Sequence, residues 1–189
     1  MAIILASASP RRRELLAQIG CDFEVVTSDV IEDNAQDIAP EQLALVHAKA
    51  KAEAVAMLVN HDDIVIGADT IVVLDGRVYG KPENVEDAKE ILSSLSGREH
   101  QVITGIAVEC RGVILTDYAV TTVKMAILNA DDIERYVASG EPMDKAGAYA
   151  IQGKGAVFIE GIAGCYSNVV GLPLRKLAII LAKVGVSVS

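Results

Sequence analysis

Three guanidinium groups and two hydroxyls stand together in Ser7-Ala8-Ser9-Pro10-Arg11-Arg12-Arg13. Guanidiniums grip phosphate oxygens through paired N–H donors, and hydroxyls turn to suit an acceptor. The stretch falls where a short strand hands over to a helix. Ala2-Ile3-Ile4-Leu5-Ala6 is a continuous apolar run, as in a buried strand. Ser9 suits an N-cap and Pro10 the first helical position. Leu15, Leu16 and Ile19 then supply an apolar stripe, and Gly20 closes the helix. A helix N-terminus exposes free N–H groups and favours acidic neighbours. Here Arg12 holds the N3 position, where a capping box takes Glu or Gln. Such crowding of positive charge works against the helix and for a bound polyanion. A solvated basic patch or an RNA-binding surface is the alternative reading of this stretch.

Asp69 is the first carboxylate of interest. It follows the apolar run Ile64-Val65-Ile66, within Gly67-Ala68-Asp69-Thr70, and strand ends are where α/β folds commonly place sites. Taken alone, an Asp there is better read as a turn cap or an acceptor of backbone N–H bonds, and it is the neighbouring motifs that favour a site. A second carboxylate could come from the acidic loop around Glu32 and Asp33, since magnesium takes one or two protein carboxylates plus water and substrate phosphates. Lys51, on a helix of small and apolar residues, and Lys81, in Gly80-Lys81-Pro82, could neutralise phosphate oxygens, or lie on the surface as most lysines do. The segment from Asp144 to Gly153 combines small residues with Lys145, Tyr149 and Gln152. Small residues let a ligand approach, and the Gln152 amide could read the donor and acceptor edge of a pyrimidine base. The plainer reading is a hairpin loop with Tyr149 packed in the core.

The elements that position these residues follow from periodicity. A second strand is expected around Phe23–Thr27, then an acidic loop over 28–39. Pro40 opens a long helix to about Val59, with Leu43, Val46, Ala50, Ala54 and Met57 near helical spacing. Ile64–Ile66 reads as a buried strand, and Ile71–Leu74 with Arg77–Tyr79 as a hairpin turning at Asp75-Gly76. Asn84 caps a helix that Gly97 ends. Residues 101–109 and 113–127 are strand-rich. Asn129 starts a helix that stops at Gly140, a Gly-containing loop follows over Asp144–Tyr149, and short strands then lead on to Tyr166. Tyr166–Leu174 reads as punctuation before a last helix from Pro173 with Leu177, Ile180, Leu181 and Val184 on its apolar face. Strands alternating with helices, together with hairpins, predict an α/β fold with a mixed sheet.

A chain of 189 residues supports one domain, drawn out into two lobes or not. The net charge of −9 excludes a protein that coats nucleic acid through general electrostatics, and leaves local basic spots better suited to a small anion with a divalent cation. No apolar run approaches a membrane span, and no signal-peptide pattern opens the chain. Cys21, Cys110 and Cys165 are far apart, which argues against structural zinc or a disulfide framework and for a cytoplasmic protein with reduced thiols. His47, His61 and His100 are isolated in the sequence and carry no expected metal or catalytic role.

Taken in order, Ser7–Leu16, Gly67–Thr70, Gly80-Lys81-Pro82, Leu95-Ser96-Gly97, Ser139-Gly140-Glu141, Asp144–Gly153 and Asn168–Leu174 resemble the Maf family of nucleotide pyrophosphatases over nearly the whole chain. The resemblance implies a single domain over 1–189 with an elongated mixed sheet, flanking helices and two lobes around a cleft, similar to inosine triphosphate pyrophosphatases. It implies metal-dependent cleavage of a nucleoside triphosphate to the monophosphate and pyrophosphate, with magnesium or manganese as the ion. By the same resemblance, Asp69 is the general base, and Arg11, Thr70 and Gln152 govern substrate choice. Ser7, Arg12, Glu32, Lys51, Lys81 and Lys145 line the phosphate and metal site, with Glu32 and Asp69 toward the metal. The Asp-Lys-Ala-Gly-Ala-Tyr and Ile-Gln-Gly form resembles the branch acting on dTTP and UTP, with modified pyrimidine triphosphates as further candidates. Whether Asp69 or Glu32 takes the proton stays open at this point. A homodimer is compatible with the resemblance; a nucleic acid polymer or a membrane partner is not expected. The competing reading is a nucleotide-binding regulatory module, linked to cell division, with little turnover.

Overall fold

The computed structural model describes residues 1–34 and 37–188, so Ala35 and Gln36 of the acidic loop, and the terminal Ser189, lie outside the described residues. Seven strands, β1 (Ile3–Ala6), β2 (Glu24–Val25), β3 (Ile64–Leu74), β4 (Arg77–Tyr79), β5 (Glu99–Cys110), β6 (Val113–Met125) and β7 (Ile159–Ala163), form a sheet of order β2-β1-β3-β5-β6-β7, with β4 paired to β3. β1 pairs in parallel with β2 and β3, so that Leu5 is the register partner of both Val25 and Ile66. The β3–β4 and β6–β7 pairs are antiparallel. The sheet is therefore mixed, as expected from parallel crossovers combined with hairpins. Among the described residues, six helices flank it: α1 (Pro10–Gln18), α2 (Pro40–Ala56), α3 (Val85–Leu95), α4 (Ala130–Ala138), α5 (Tyr166–Val170) and α6 (Leu174–Lys183). No helix among the described residues is long and apolar enough to cross a membrane.

The chain divides into two compact units, Met1–Thr70 with Thr104–Ala119 and Gly171–Ser189, and Ile71–Ile103 with Val120–Val170. In the first unit, α2 owes its helicity to Pro40 at its first position and to a run of alanines, the strongest helix formers. Ala48, Ala52 and Val55 are buried in one cluster with Ile4, Ala6, Val65 and Ala107. The fit depends on two glycines. A Cβ at Gly67 would stand 2.2 Å from the carbonyl oxygen of Ala48, and one at Gly105 2.4 Å from that of Ala44. The helix backbone thus lies directly on the strands. Because residues four apart share a helix face, this contact also turns His47 and Lys51 inward, and both are buried.

The second unit has its own core. Ala88, Ile91, Leu92 and Leu95 of α3 and Ile133, Tyr136 and Val137 of α4 pack with Val72, Val102, Val123, Tyr149 and Phe158. Both helices begin as their sequences predict: the Asp87 N–H donates to Asn84 Oδ1 at 2.9 Å, and the Asp132 N–H to Asn129 Oδ1 at 2.8 Å.

Several expectations need correction. The two strands read on either side of Asp69 are one, since β3 runs unbroken from Ile64 to Leu74. Asp69 is thus a strand-interior residue rather than one at a strand's end. α2 stops at Ala56, short of Val59. Of the short strands expected after the Gly-containing loop, β7 is present, but Lys154–Phe158 before it is a 3₁₀ turn; further 3₁₀ turns lie over Glu141–Asp144 and Ala146–Ala148, and Tyr166–Val170 is a helix rather than punctuation. Short turns of this kind leave too few residues to show a period. Tyr149 packs in the core, as in the plainer reading of its loop.

Candidate active site

Asp69 is 4% exposed, an ionisable side chain facing inward from β3 where its neighbours are apolar. A buried carboxylate costs stability unless it is paired and hydrogen-bonded. Its partners come from α2: Lys51 Nζ donates to Asp69 Oδ1 at 2.6 Å, and His47 Nδ1 lies 3.2 Å from Asp69 Oδ2. The Lys51 ammonium also donates to Glu32 Oε1 at 2.5 Å and to the Ala68 carbonyl at 3.4 Å, so all three of its N–H bonds are used. Glu32 and Asp69, remote in sequence, converge on one cation.

Burial pushes the Asp69 carboxyl up, but the hydrogen bond from His47 and the charge and hydrogen bond of Lys51, helped by Arg12, outweigh it and hold the group well below the usual carboxylate range. His47 responds in the opposite sense. Its hydrogen bond to Asp69 raises its pKa against the effect of burial, with further support from the Asp33 carbonyl and Glu32. Nε2 sits 3.2 Å from that carbonyl, so each ring nitrogen faces an acceptor, the arrangement that an imidazolium with two N–H donors satisfies.

Arg12 occupies the other flank of Asp69. Its Nε donates to the Gly171 carbonyl at 2.8 Å, and its two terminal nitrogens to Ser7 Oγ at 3.3 Å and Thr70 Oγ1 at 3.0 Å. The charge that is unfavourable for α1 thus joins α1, β3 and the segment leading to α6. Ser7 Oγ also accepts the Ser9 N–H at 3.3 Å, which leaves its own proton to donate. Ser9 occupies the N-cap of α1 without a side-chain capping bond. Thr70 Oγ1 is 2.9 Å from Thr104 Oγ1, an extra hydroxyl that the sequence did not single out.

Six of the expected residues thus form two hydrogen-bonded groups within the first unit, Arg12 with Ser7 and Thr70, and Lys51 with Glu32 and Asp69, with the Arg12 charge also acting on Asp69. Arg11 stands beside Arg12 on α1, partly exposed. Lys81, Lys145 and Gln152 belong to the second unit. There Lys81 and Gln152 are exposed, while Lys145 Nζ donates to the Glu141 carbonyl at 3.2 Å and to the Asp144 carboxylate. His47 is the residue sequence reasoning set aside and the structure brings in. The one signal for it was its position four residues before Lys51.

Among the described residues, no group of three or more His, Cys, Asp or Glu side chains is arranged to hold a metal ion. The pair that meets a cation is Glu32 and Asp69, each with a carboxylate oxygen within 2.6 Å of Lys51 Nζ. Two hard oxygen donors suit magnesium or manganese, ions that keep several waters and accept substrate oxygens, so the donor set fits.

Residues 2–184 match the family model described as Maf-like protein. A protein named dTTP/UTP pyrophosphatase from Desulforamulus reducens is 52% identical over 188 residues, with 98% of each chain covered. Another of that name from Alkaliphilus metalliredigens is 50% identical over 183 residues, covering 96% of this chain and 95% of its own. Among solved structures, a nucleoside-triphosphatase / dITP/XTP pyrophosphatase from Mycobacterium abscessus aligns over 97% of both chains at 16% identity, with a TM-score of 0.44. With a family model spanning nearly its full length and relatives at half identity end to end, the chain belongs to the Maf-like protein family.

Proposed function

We propose that this protein is a nucleoside triphosphate pyrophosphatase that hydrolyses dTTP and UTP to the monophosphate and pyrophosphate. The observation that carries the reading is the convergence of Glu32 and Asp69 on Lys51, next to the Arg12–Ser7–Thr70 cluster. Carboxylates beside phosphate-receiving groups gain nothing in plain anion binding. They make sense where a water and a divalent cation must be held against a phosphate. The relatives' names support the same substrates.

In the reaction, water attacks the α-phosphorus and the bond to the bridging oxygen breaks, releasing pyrophosphate. Asp69 and Glu32 would hold magnesium or manganese, which when bound offsets the negative charge of the phosphate oxygens. Arg12 and the Ser7 hydroxyl donate to phosphate oxygens and stabilise the charge that grows on the leaving group. Asp69 orients the attacking water. With Lys51 hydrogen-bonded to it, Asp69 is a weak proton acceptor. The water's proton passes to whichever of Asp69 and Glu32 is not engaged with the cation at that moment, the His47 hydrogen bond holding Asp69 ionised and ready to accept it. Arg11, Thr70 and Gln152 are read as the residues that choose the base, and Lys81 and Lys145 as further phosphate contacts. Modified pyrimidine triphosphates fall within the same substrate class.

The test is pyrophosphate release from a panel of nucleoside triphosphates with magnesium or manganese, repeated with a chelator. Metal-dependent release from dTTP and UTP, with little from purine nucleotides, is expected. No release from any nucleotide by folded protein would overturn the proposal.

A further inference from the structure

The loop that carries Gln152 is suspended from two side chains that the reaction does not use. Tyr136, in the last turn of α4 and buried, places its phenol between two partners: the oxygen accepts the Ala150 N–H at 3.0 Å and donates to Glu141 Oε1 at 2.9 Å. Glu141 in turn accepts the Lys154 N–H on Oε2 at 3.0 Å and the Gly155 N–H on Oε1 at 3.1 Å. Ala150 lies two residues before Gln152, and Lys154 two after. The loop closes on itself through the Gly153 N–H to the Ala150 carbonyl at 3.2 Å, and a Cβ at Gly153 would fall within 2.5 Å of the Glu141 carboxyl. Burial pushes the Glu141 carboxyl up, but the two N–H bonds and the Tyr136 hydroxyl outweigh it and keep the group ionised, the form that accepts three donors at once.

A single exposed amide can discriminate between bases only if its backbone is held still, since a 1 Å error removes the hydrogen bond it is meant to make. Gln152 itself is exposed. Its fixity must come from its neighbours, and those neighbours hang on Tyr136 and Glu141.

We infer that Tyr136 and Glu141 are positioning residues for base selection, holding the Ala150–Gly155 loop so that the Gln152 amide meets the edge of a pyrimidine. The inference rests on the proposed pyrophosphatase reading. Its test compares kcat and KM for dTTP, UTP, dGTP and ATP in the wild-type protein, Tyr136→Phe and Glu141→Gln, with Val137→Ala as a core control in the same unit. Tyr136→Phe keeps the ring, which packs edge-on against Phe158 with centroids 5.0 Å apart, and removes only the hydroxyl. Glu141→Gln keeps an acceptor for Tyr136 and turns the partner of the Lys154 N–H into a donor. Each is expected to lower the preference for dTTP and UTP over the purines about tenfold, the worth of roughly one hydrogen bond, through KM with kcat little changed. Val137→Ala is expected to lower Tm and leave that preference intact. A wild-type protein that discriminates, with both variants retaining its preference, overturns the inference alone. A wild-type protein that releases no pyrophosphate overturns the reading on which it rests, and the inference with it.

Discussion

Replacing Gly67 by alanine tests the contact that puts Lys51 and His47 beside Asp69. The strand backbone at Gly67 lies outside the left-handed region, so alanine there meets no conformational obstacle and the effect is steric. The new Cβ would be 2.2 Å from the Ala48 carbonyl oxygen, 2.9 Å from the Ala52 nitrogen and 3.0 Å from the Ala52 Cβ. Ordinary contact begins near 3.4 Å, so α2 must withdraw by about 1 Å in a close-packed interior. Overpacking of this kind costs about 1–3 kcal/mol. At about 2–4 °C per kcal/mol for a chain of this length, Tm should fall by about 2–12 °C. Activity should fall much further. A 1 Å withdrawal takes Lys51 Nζ from 2.6 Å to about 3.6 Å from Asp69, beyond hydrogen-bonding range, and misplacement by that amount costs about 10²-fold in rate. Gly76→Ala is the matching control. It has open space around it but a φ of +78°, so alanine there should cost about 1–2 kcal/mol with no steric push on α2. Tm by calorimetry and pyrophosphate release by both variants decide the matter. If Gly67→Ala loses no more activity than Gly76→Ala, the close approach of α2 does not set the site.

Asp69→Asn should preserve the far-UV CD spectrum and lower turnover by about 10²–10⁴-fold; near-normal hydrolysis by the folded variant would refute its role. His47→Leu leaves Asp69 Oδ2 and the Asp33 carbonyl without their shared donor and should lower kcat about tenfold, with part of the loss recovered in His47→Gln, whose amide still donates; an active His47→Leu protein would make the contact incidental. Burial lowers the His100 pKa to about 4, against about 6.5 in an unfolded chain, so the unfolded state binds the proton first. The sign is therefore a loss of stability as pH falls from about 6.5 to 4, of about 3 kcal/mol, and denaturant titrations of His100→Gln should lack that part of the slope. A chelator should abolish pyrophosphate release and leave Tm unchanged, because Lys51 already satisfies Glu32 and Asp69; a large drop in Tm would contradict that pairing.

What could be read in the sequence was whatever depends on local chemistry. Pro10, at the first helical position, and the capping side chains Asn84 and Asn129 marked three helix starts, because both effects act within one turn. The ordered motifs located Ser7, Arg12, Asp69 and Thr70, while the acidic loop and a lysine on a helix of small and apolar residues pointed to Glu32 and Lys51; the fold gathers the six into two neighbouring hydrogen-bonded groups. What escaped was set by packing. Asp69 split β3 into two apparent strands because a carboxylate interrupts an apolar run, and only Lys51 and His47 from α2 make it tolerable there. His47 was invisible among alanines and lysines because its role depends on which face of α2 meets Gly67. The 3₁₀ turns between Glu141 and Phe158 follow the hydrogen bonds to Glu141 and Tyr136, partners up to fourteen residues away. No window of periodicity reports such bonds.

The Lys51 ammonium has a consequence for how the site is charged. Held between two carboxylates, it is a built-in counter-ion, and the pair is electrically satisfied before any ligand arrives. On the proposed function, a divalent ion would have to take the place of this ammonium on Glu32 and Asp69, and the displaced ammonium would need somewhere to go. Phosphate oxygens provide that destination. On the proposed function, nucleotide and metal then favour each other's binding through one lysine: the carboxylates are released for the cation only when the polyanion takes up the ammonium. On that reading the two carboxylates are neutralised by the chain itself between turnovers, and delivery of the substrate is what would make the site competent.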